Sequence, residues 1–387
     1  MIANTEVVVI GAGYAGILAA RLLSAQRGIH VTIVSPRTSF VERIRLHQVA
    51  ASTGAAEHSL EDAFATEHAT MVVGTALAID AARALVHVQS VEGEQRVPYD
   101  YLVYAPGSAA AMDGVPGARE HAFGLLGPDD ARRASAALAV AARRRGDVTV
   151  SGGGLTAIET AAEIAERYPA LRVSLLSASA LGGPLSSEAV EYVRGALLRL
   201  GVHVREHVRV AEFADDTIRL DDGAIVPSDV SFFFGGFAGP ELARASGLET
   251  NRKKQLVVDA MLRCARWPNI FGAGDAAFTD GVHAADGMGC KYALQSGRYA
   301  ATAIADAVEG RATPPFECRD TLFCVSLGRR DAVLDLRTAD GRPRGSIATG
   351  EPAVFGKELV SRFARVTALP DISAWHGGRQ LLDEEAV

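Results

Sequence analysis

Lys291 follows Cys290 in GMGCKYALQSGRYAATAIADAVEG, residues 287–310, where small flexible residues give way to the apolar stripe Ala293, Gly297, Ala300, Ala301, Ile304 and Val308. That spacing predicts a helix. A cation in its first turn opposes the macrodipole, at a cost of roughly 0.3–1 kcal/mol. Either the lysine is solvated and the cost trivial, or it faces an anionic group. In the second case the backbone N–H groups of Gly289, Cys290 and Lys291 point at the same charge. Cys290 reads as a packing residue rather than a nucleophile, because no partner cysteine or His-containing motif adjoins it.

Two glycine-rich turns could hold nucleotides. EVVVIGAGYAG places β-branched residues directly before Gly11, Gly13 and Gly16, and ILAARLLSAQRG continues with helical periodicity. Gly11 permits a tight turn, Gly13 lets the backbone approach a pyrophosphate, Gly16 lets helix and strand pack closely, and the helix N-terminus receives the phosphate charge. HVTIV, residues 30–34, supplies the next parallel strand. It ends in Ser35, Pro36 and Arg37 where an acidic ribose ligand is expected. The serine can still bond a ribose more weakly; Arg37 either approaches adenine or phosphate or belongs to an ordinary turn.

DVTVSGGGLTAIETAAEIAERY repeats the pattern with Gly152, Gly153 and Gly154, Ala157 in place of the third fingerprint glycine, and Glu159 on the new helix. Its second strand, residues 172–176, ends in Ser177, Ala178 and Ser179. Neither the carboxylate that favours NAD nor the arginine that favours a 2′-phosphate stands there. Two fingerprints about 140 residues apart imply two dinucleotides.

Residues 71–89 read as a small antiparallel meander. RVPYDYLVYAPGS, 96–108, reads as a strand returning to the sheet and ending at Gly107, where backbone passes close to a bound group. WPNIFGAGDAA, 267–277, ends a strand at Asp275, whose carboxylate would lie beside the first glycine-rich loop. GAGYAG at 11, YDYLVYAPGS at 99, GGGLTAIE at 152 and IFGAGD at 270, in this order, resemble the two-dinucleotide-binding-domain flavoproteins, the FAD-dependent pyridine nucleotide oxidoreductases, over roughly residues 5–310.

The resemblance implies an α/β fold with two Rossmann-like domains, a discontinuous FAD domain (1–110 and 240–315) and an inserted NAD(P)H domain (111–239). A small α+β C-terminal domain (316–387) would shape the acceptor side. It implies FAD on Gly11, Gly13, Tyr14, Ala15, Gly16, Ser35, Arg37, Arg43, Ala76, Ala105, Gly107, Asp275, Cys290 and Lys291, and NADH or NADPH on Gly152 and Gly154. Glu159 would lie close to the nicotinamide, or else is simply a carboxylate stabilised by a helix N-terminus.

Disulfide reductases of this kind need a cysteine pair, yet PRTSFVERIRLHQVAAST contains none, so a dithiol relay is excluded. That stretch, and Ala293, Gln295 and Gly297 in KYALQSG, resemble type II NADH:quinone oxidoreductases; Cys290 and Lys291 depart from their AQxAxQxG motif. The reaction implied is hydride transfer from nicotinamide to flavin N5, then electron transfer to a quinone-like or other small acceptor, with Lys291, Glu159 and Gln295 as candidate catalytic residues. A FAD-dependent tailoring oxidoreductase acting on one organic substrate, and a non-catalytic flavin redox sensor, are the rival readings.

The chain is long enough to position these parts: 387 residues, 48% hydrophobic and 22% charged, with 39 glycines. A net charge of -7 argues against nucleic-acid binding. Cys264, Cys290, Cys318 and Cys324 form no CxxC pair and no metal-ligand pattern, so no metal is expected. Only Lys253, Lys254, Lys291 and Lys357 of the 39 basic residues are lysines, which singles each of them out. No apolar run suits a membrane span and no signal peptide precedes EVVVI, so a cytoplasmic location is the default expectation. Residues 323–350 read as alternating strands. GKELVSRFARVTAL reads as an amphipathic helix whose Leu359, Val360, Phe363 and Val366 face the core, opposite Lys357, Arg362 and Arg365; membrane contact is not favoured. A homodimer is left open.

Overall fold

In the computed structural model, which describes residues 4–60, 64, 68–279, 288–319, 322–338 and 341–369, the β-branched run near the N-terminus is strand β1 (Thr5–Ile10). Val7 to Ile10 are all buried, as a parallel strand covered on both faces requires. Helix α1 (Tyr14–Ser24) follows, and β2 (Ile29–Ser35) pairs parallel with β1 from Thr5↔Ile29 to Ile10↔Val34. Beyond the short helix α2 (Leu46–Ala50), β3 (Ala69–Asp80) runs parallel to β2 and then antiparallel to β4 (Leu85–Ser90), which pairs with β5 (Gly93–Pro98). The predicted meander is this β3–β5 ribbon. The chain returns as β6 (Tyr101–Tyr104) on the other flank of β1.

A second, wholly parallel sheet comes next. It is built from β7 (Ala122–Phe123), helix α3 (Pro128–Arg143), β8 (Asp147–Ser151), helix α4 (Leu155–Arg167), β9 (Arg172–Leu176), helix α5 (Ser187–Arg199), β10 (His203–Arg205) and β11 (Val230–Phe233). Its strand order is β7-β11-β8-β9-β10. Strands β12 (Arg263–Cys264) and β13 (Trp267–Gly272) then rejoin the first sheet, giving β12-β13-β6-β1-β2-β3-β4-β5.

The stretch holding Lys291 is helix α6 (Cys290–Val308), and its predicted stripe is buried from Ala293 to Ile304. It lies on α1. A Cβ on Gly297 would stand 2.4 Å from the Ala15 carbonyl oxygen, so only glycine allows that approach. Gly287 lies outside the described residues.

Strands β14 (Leu322–Ser326), β15 (Ala332–Arg337) and β16 (Pro343–Thr349) form an antiparallel sheet, against which helix α7 (Gly350–Ala368) packs. The helix is as predicted, but its faces are reversed. Ala353, Lys357, Ser361, Ala364 and Ala368 are buried, whereas Phe355, Leu359 and Phe363 are 73%, 58% and 69% exposed. Amphipathicity misleads here because the buried face carries small residues and a lysine with an anionic partner. No helix among the described residues is long and apolar enough to cross a membrane.

Candidate functional site

The two glycine loops share one construction. At Gly11, φ is +102° and a Cβ would strike the Ala105 carbonyl oxygen at 2.3 Å; at Gly152, φ is +146° and the obstacle is the Phe234 oxygen at 2.9 Å. In each loop the second glycine caps a helix in extended conformation. Gly13 caps α1 and Gly154 caps α4, neither helix has a side-chain cap or an acidic residue in its first turn, and nothing lies within 4 Å of a Cβ built on either glycine. Bare helix N–H groups therefore open onto empty space, the geometry a pyrophosphate needs. Gly16 completes the first loop, since a Cβ there would stand 1.9 Å from the Gly11 oxygen, while fully buried Ala157 fits the looser second loop.

Around the first loop, Asp275 joins two backbone segments. Its Oδ2 accepts from the Ser108 hydroxyl at 2.8 Å and its Oδ1 from the Gly289 N–H at 2.9 Å. Arg43 donates to the Ser108 carbonyl. Burial lowers the Arg43 pKa, an effect that neighbouring Asp275 opposes. Gly107 has φ +78°, and a Cβ built on it would lie 3.8 Å from the Arg43 guanidinium. Buried Ala15 and Ala105 line the same turn, and the hydroxyl of Tyr14 is buried without a hydrogen-bond partner among the described residues. An orphan donor, a carboxylate and a bare helix terminus suit the mixed polarity of a flavin dinucleotide.

Other predicted contacts are differently placed. Ser35 is buried, and its hydroxyl both donates to the Arg37 carbonyl and accepts the Arg37 N–H, so it closes a turn. The Arg37 guanidinium reaches toward Gly127, where a Cβ would be 3.0 Å away. Ala76 sits at an irregularity of the β3–β4 ladder, within the apolar cluster of that sheet. The second nucleotide loop repeats the serine turn: fully buried Ser177 accepts the Ser179 N–H at 3.3 Å.

At the start of α6, Lys291 donates to the Leu322 carbonyl of β14 and lies 5.2 Å from the Phe323 ring centroid. It thus ties α6 to the C-terminal sheet. Gln295, further along, holds the segment that follows α6, donating to the Arg319 carbonyl and accepting the Arg319 N–H. Burial and neighbouring Cys324 push the Cys290 thiol up to about 11, so it stays protonated at neutral pH.

Glu159 is buried on the first turns of α4. One carboxylate oxygen accepts from the Lys357 ammonium of α7 and from the Ser326 N–H of β14 at 3.0 Å; the other stands 3.9 Å from His47 Nδ1 of α2. Burial alone would raise its pKa, but the Lys357 ammonium, helped by the Ser326 N–H, outweighs burial and holds it below the usual carboxylate value. Burial likewise opposes the Lys357 charge, and Glu159 reverses the balance and raises the lysine's pKa. Sequence reasoning found Glu159 but missed Lys357 and His47. The rarity of lysine in this chain was the available signal for Lys357.

Residues 5–305 match the family described as pyridine nucleotide-disulphide oxidoreductase. The chain belongs to that family. It is accordingly an FAD-dependent NAD(P)H oxidoreductase. It is 29% identical over 385 residues to a NADH dehydrogenase-like protein of Mycobacterium tuberculosis (strain CDC 1551 / Oshkosh), covering 92% of this chain and 93% of the relative. It is 25% identical over 395 residues to the type II NADH:quinone oxidoreductase of Staphylococcus haemolyticus, covering 92% and 94%. The NDH2 structure from Plasmodium falciparum in complex with NADH shares the fold with a TM-score of 0.80 at 14% identity, covering 95% of this chain and 99% of that one.

Proposed function

We propose that the chain accepts a hydride from NADH or NADPH on flavin N5 and passes the electrons to a quinone-type acceptor near the start of α6. FAD supplies the two-electron chemistry; the protein binds it, orients it and manages protons. Asp275, Arg43, Tyr14 and the N–H groups behind Gly13 and Gly289 would hold FAD, and Gly152 and Gly154 the nicotinamide nucleotide. The corresponding division assigns 1–110 and 240–315 to FAD, 111–239 to NAD(P)H, and 316–387 to the acceptor side.

The observation that carries the acceptor assignment is the buried Glu159–Lys357 pair. Reducing a quinone with NAD(P)H consumes one proton from solution per turnover. An ammonium held beside a carboxylate at the junction of α4, β14 and α7 is a donor that can be reloaded locally. Lys291 would serve by fixing β14 against α6, and Gln295 by fixing Arg319, rather than by touching the reacting atoms. The relatives named as quinone oxidoreductases point the same way.

Anaerobic stopped-flow mixing with NADH and with NADPH, followed by a panel of soluble quinones, tests the reading. Bleaching of the flavin followed by rapid recovery with a quinone is the expected result. Bleaching with no turnover would favour a redox sensor, and no bleaching would remove the reading altogether.

A further inference from the structure

Buried His47 bridges two carboxylates of α4. Its Nδ1 stands 3.9 Å from Glu159 Oε2 and its Nε2 4.0 Å from Glu163 Oε2. Both His47 Nε2 and Glu163 Oε2 are buried without a hydrogen-bond partner among the described residues, an expensive arrangement unless the two groups exchange something. The other oxygen of Glu163 accepts from the hydroxyl of half-buried Thr53, in the loop beyond α2 whose neighbour Ser52 is exposed.

We infer that Thr53, Glu163 and His47 form a proton relay from the surface to the Glu159–Lys357 pair. This rests on the acceptor reading above. The overall reaction is NAD(P)H + H⁺ + quinone giving NAD(P)⁺ + quinol, and the relay carries the solution proton. Lys357 loses an N–H proton to the acceptor oxygen and regains one from Glu159. His47 gives its Nδ1 proton to Glu159 and takes the Glu163 carboxyl proton on Nε2. Glu163 is reloaded from water through the Thr53 hydroxyl, and the imidazole resets by exchanging its tautomer. Each gap must close by about 1 Å to become a hydrogen bond.

The surrounding charges suit this. His47 is faced by Glu159 and Glu163 from α4, Lys357 from α7, Arg329 from the turn after β14 and Arg45 from the turn before α2. Burial, with those three cations, pushes the ring down to about 4 despite Glu159, so it rests neutral. Burial raises Glu163 against the opposing effects of Thr53 and Arg329, so it holds a proton more readily than an ordinary glutamate.

The test compares wild-type holoenzyme with His47→Gln and Glu163→Gln in the two half-reactions, using a soluble benzoquinone as acceptor. Gln at 47 retains polar atoms but cannot pass a proton. Flavin reoxidation should slow at least tenfold in both variants, with proton uptake recorded by a pH dye slowing in step, while reduction by NAD(P)H stays within about twofold. Nitrogen-15 spectra of the oxidised wild-type protein should show the His47 ring neutral at pH 5.5. Equal slowing of both half-reactions, an unchanged reoxidation rate, or a ring titrating near the ordinary value of about 6.5 would each overturn the relay. If wild-type flavin is reduced but no quinone reoxidises it, the acceptor reading fails instead.

Discussion

The ammonium of Lys357 in α7 donates to the Glu159 carboxylate in α4, joining elements 198 residues apart inside the protein. Both side chains are buried, so removing either leaves an uncompensated charge. Lys357→Met alone should destabilise the fold by about 3–5 kcal/mol. Glu159→Met combined with Lys357→Met, which exchanges two charges for two apolar chains, should recover most of that loss. Denaturant midpoints at saturating FAD measure both. A double variant as unstable as the sum of Glu159→Met and Lys357→Met measured separately would show that the two charges are not coupled and that the pair is not what holds these elements together.

His47 makes stability depend on pH in a defined direction. Its folded value of about 4 lies below the unfolded value of about 6.5, so between these the unfolded chain binds the extra proton. Stability contributed by the neutral ring is therefore complete above pH 6.5 and declines as the pH falls toward 4, by up to about 3 kcal/mol. Thermal midpoints between pH 7 and pH 4.5 should fall faster for wild type than for His47→Gln, whose side chain does not titrate. Parallel curves would mean that burial of this imidazole carries no such penalty.

The glycine loops were legible in the sequence because their demands are local: Gly11 and Gly152 need positive φ and a close backbone approach, which few residues permit. Strands β1 and β8 were legible for a similar reason, being β-branched runs directly ahead of those turns. Glu159 was visible as a residue but not as half of a pair, because its partner lies on the last described helix. The pattern of that helix gave the wrong inward face: a buried ion pair inverts the rule that polar residues face water, and Phe355, Leu359 and Phe363 remain outside. Lys291 drew attention through the helix-dipole argument, yet its ammonium is held by the Leu322 carbonyl. His47 lay in a stretch noted only for its family resemblance and was not singled out; only the packing of α2 on α4 gives it a role.

Gly11 and Gly13 separate two effects that a fingerprint merges. Gly11→Ala meets the Ala105 backbone at 2.3 Å with φ at +102°, so it should disturb the sheet itself and lower the melting temperature with or without flavin. A Cβ at Gly13 meets nothing within 4 Å, so in Gly13→Val the fold should survive while the added side chain occupies the pyrophosphate space. The expected product is folded, colourless protein. Full flavin occupancy in Gly13→Val would move the FAD site away from this loop.

The second glycine loop, proposed above to hold NAD(P)H, lacks the groups that choose between NADH and NADPH. Ser177 is buried and committed to its turn, Ala178 and Ser179 are exposed, and both Glu206 oxygens are engaged, one by the Leu181 N–H and both by Arg194. No carboxylate therefore stands ready to bond a ribose 2′-hydroxyl or repel a 2′-phosphate, and no arginine follows the strand to attract one. The ratio of kcat/KM for the two nucleotides should lie within about tenfold of unity, an outcome that differential binding of about 1.4 kcal/mol or less produces. Ala178→Asp should tilt the ratio toward NADH by at least about tenfold through like-charge repulsion. Steady-state kinetics with both nucleotides decides the matter: a hundredfold preference in the wild type would require a selecting residue outside this loop.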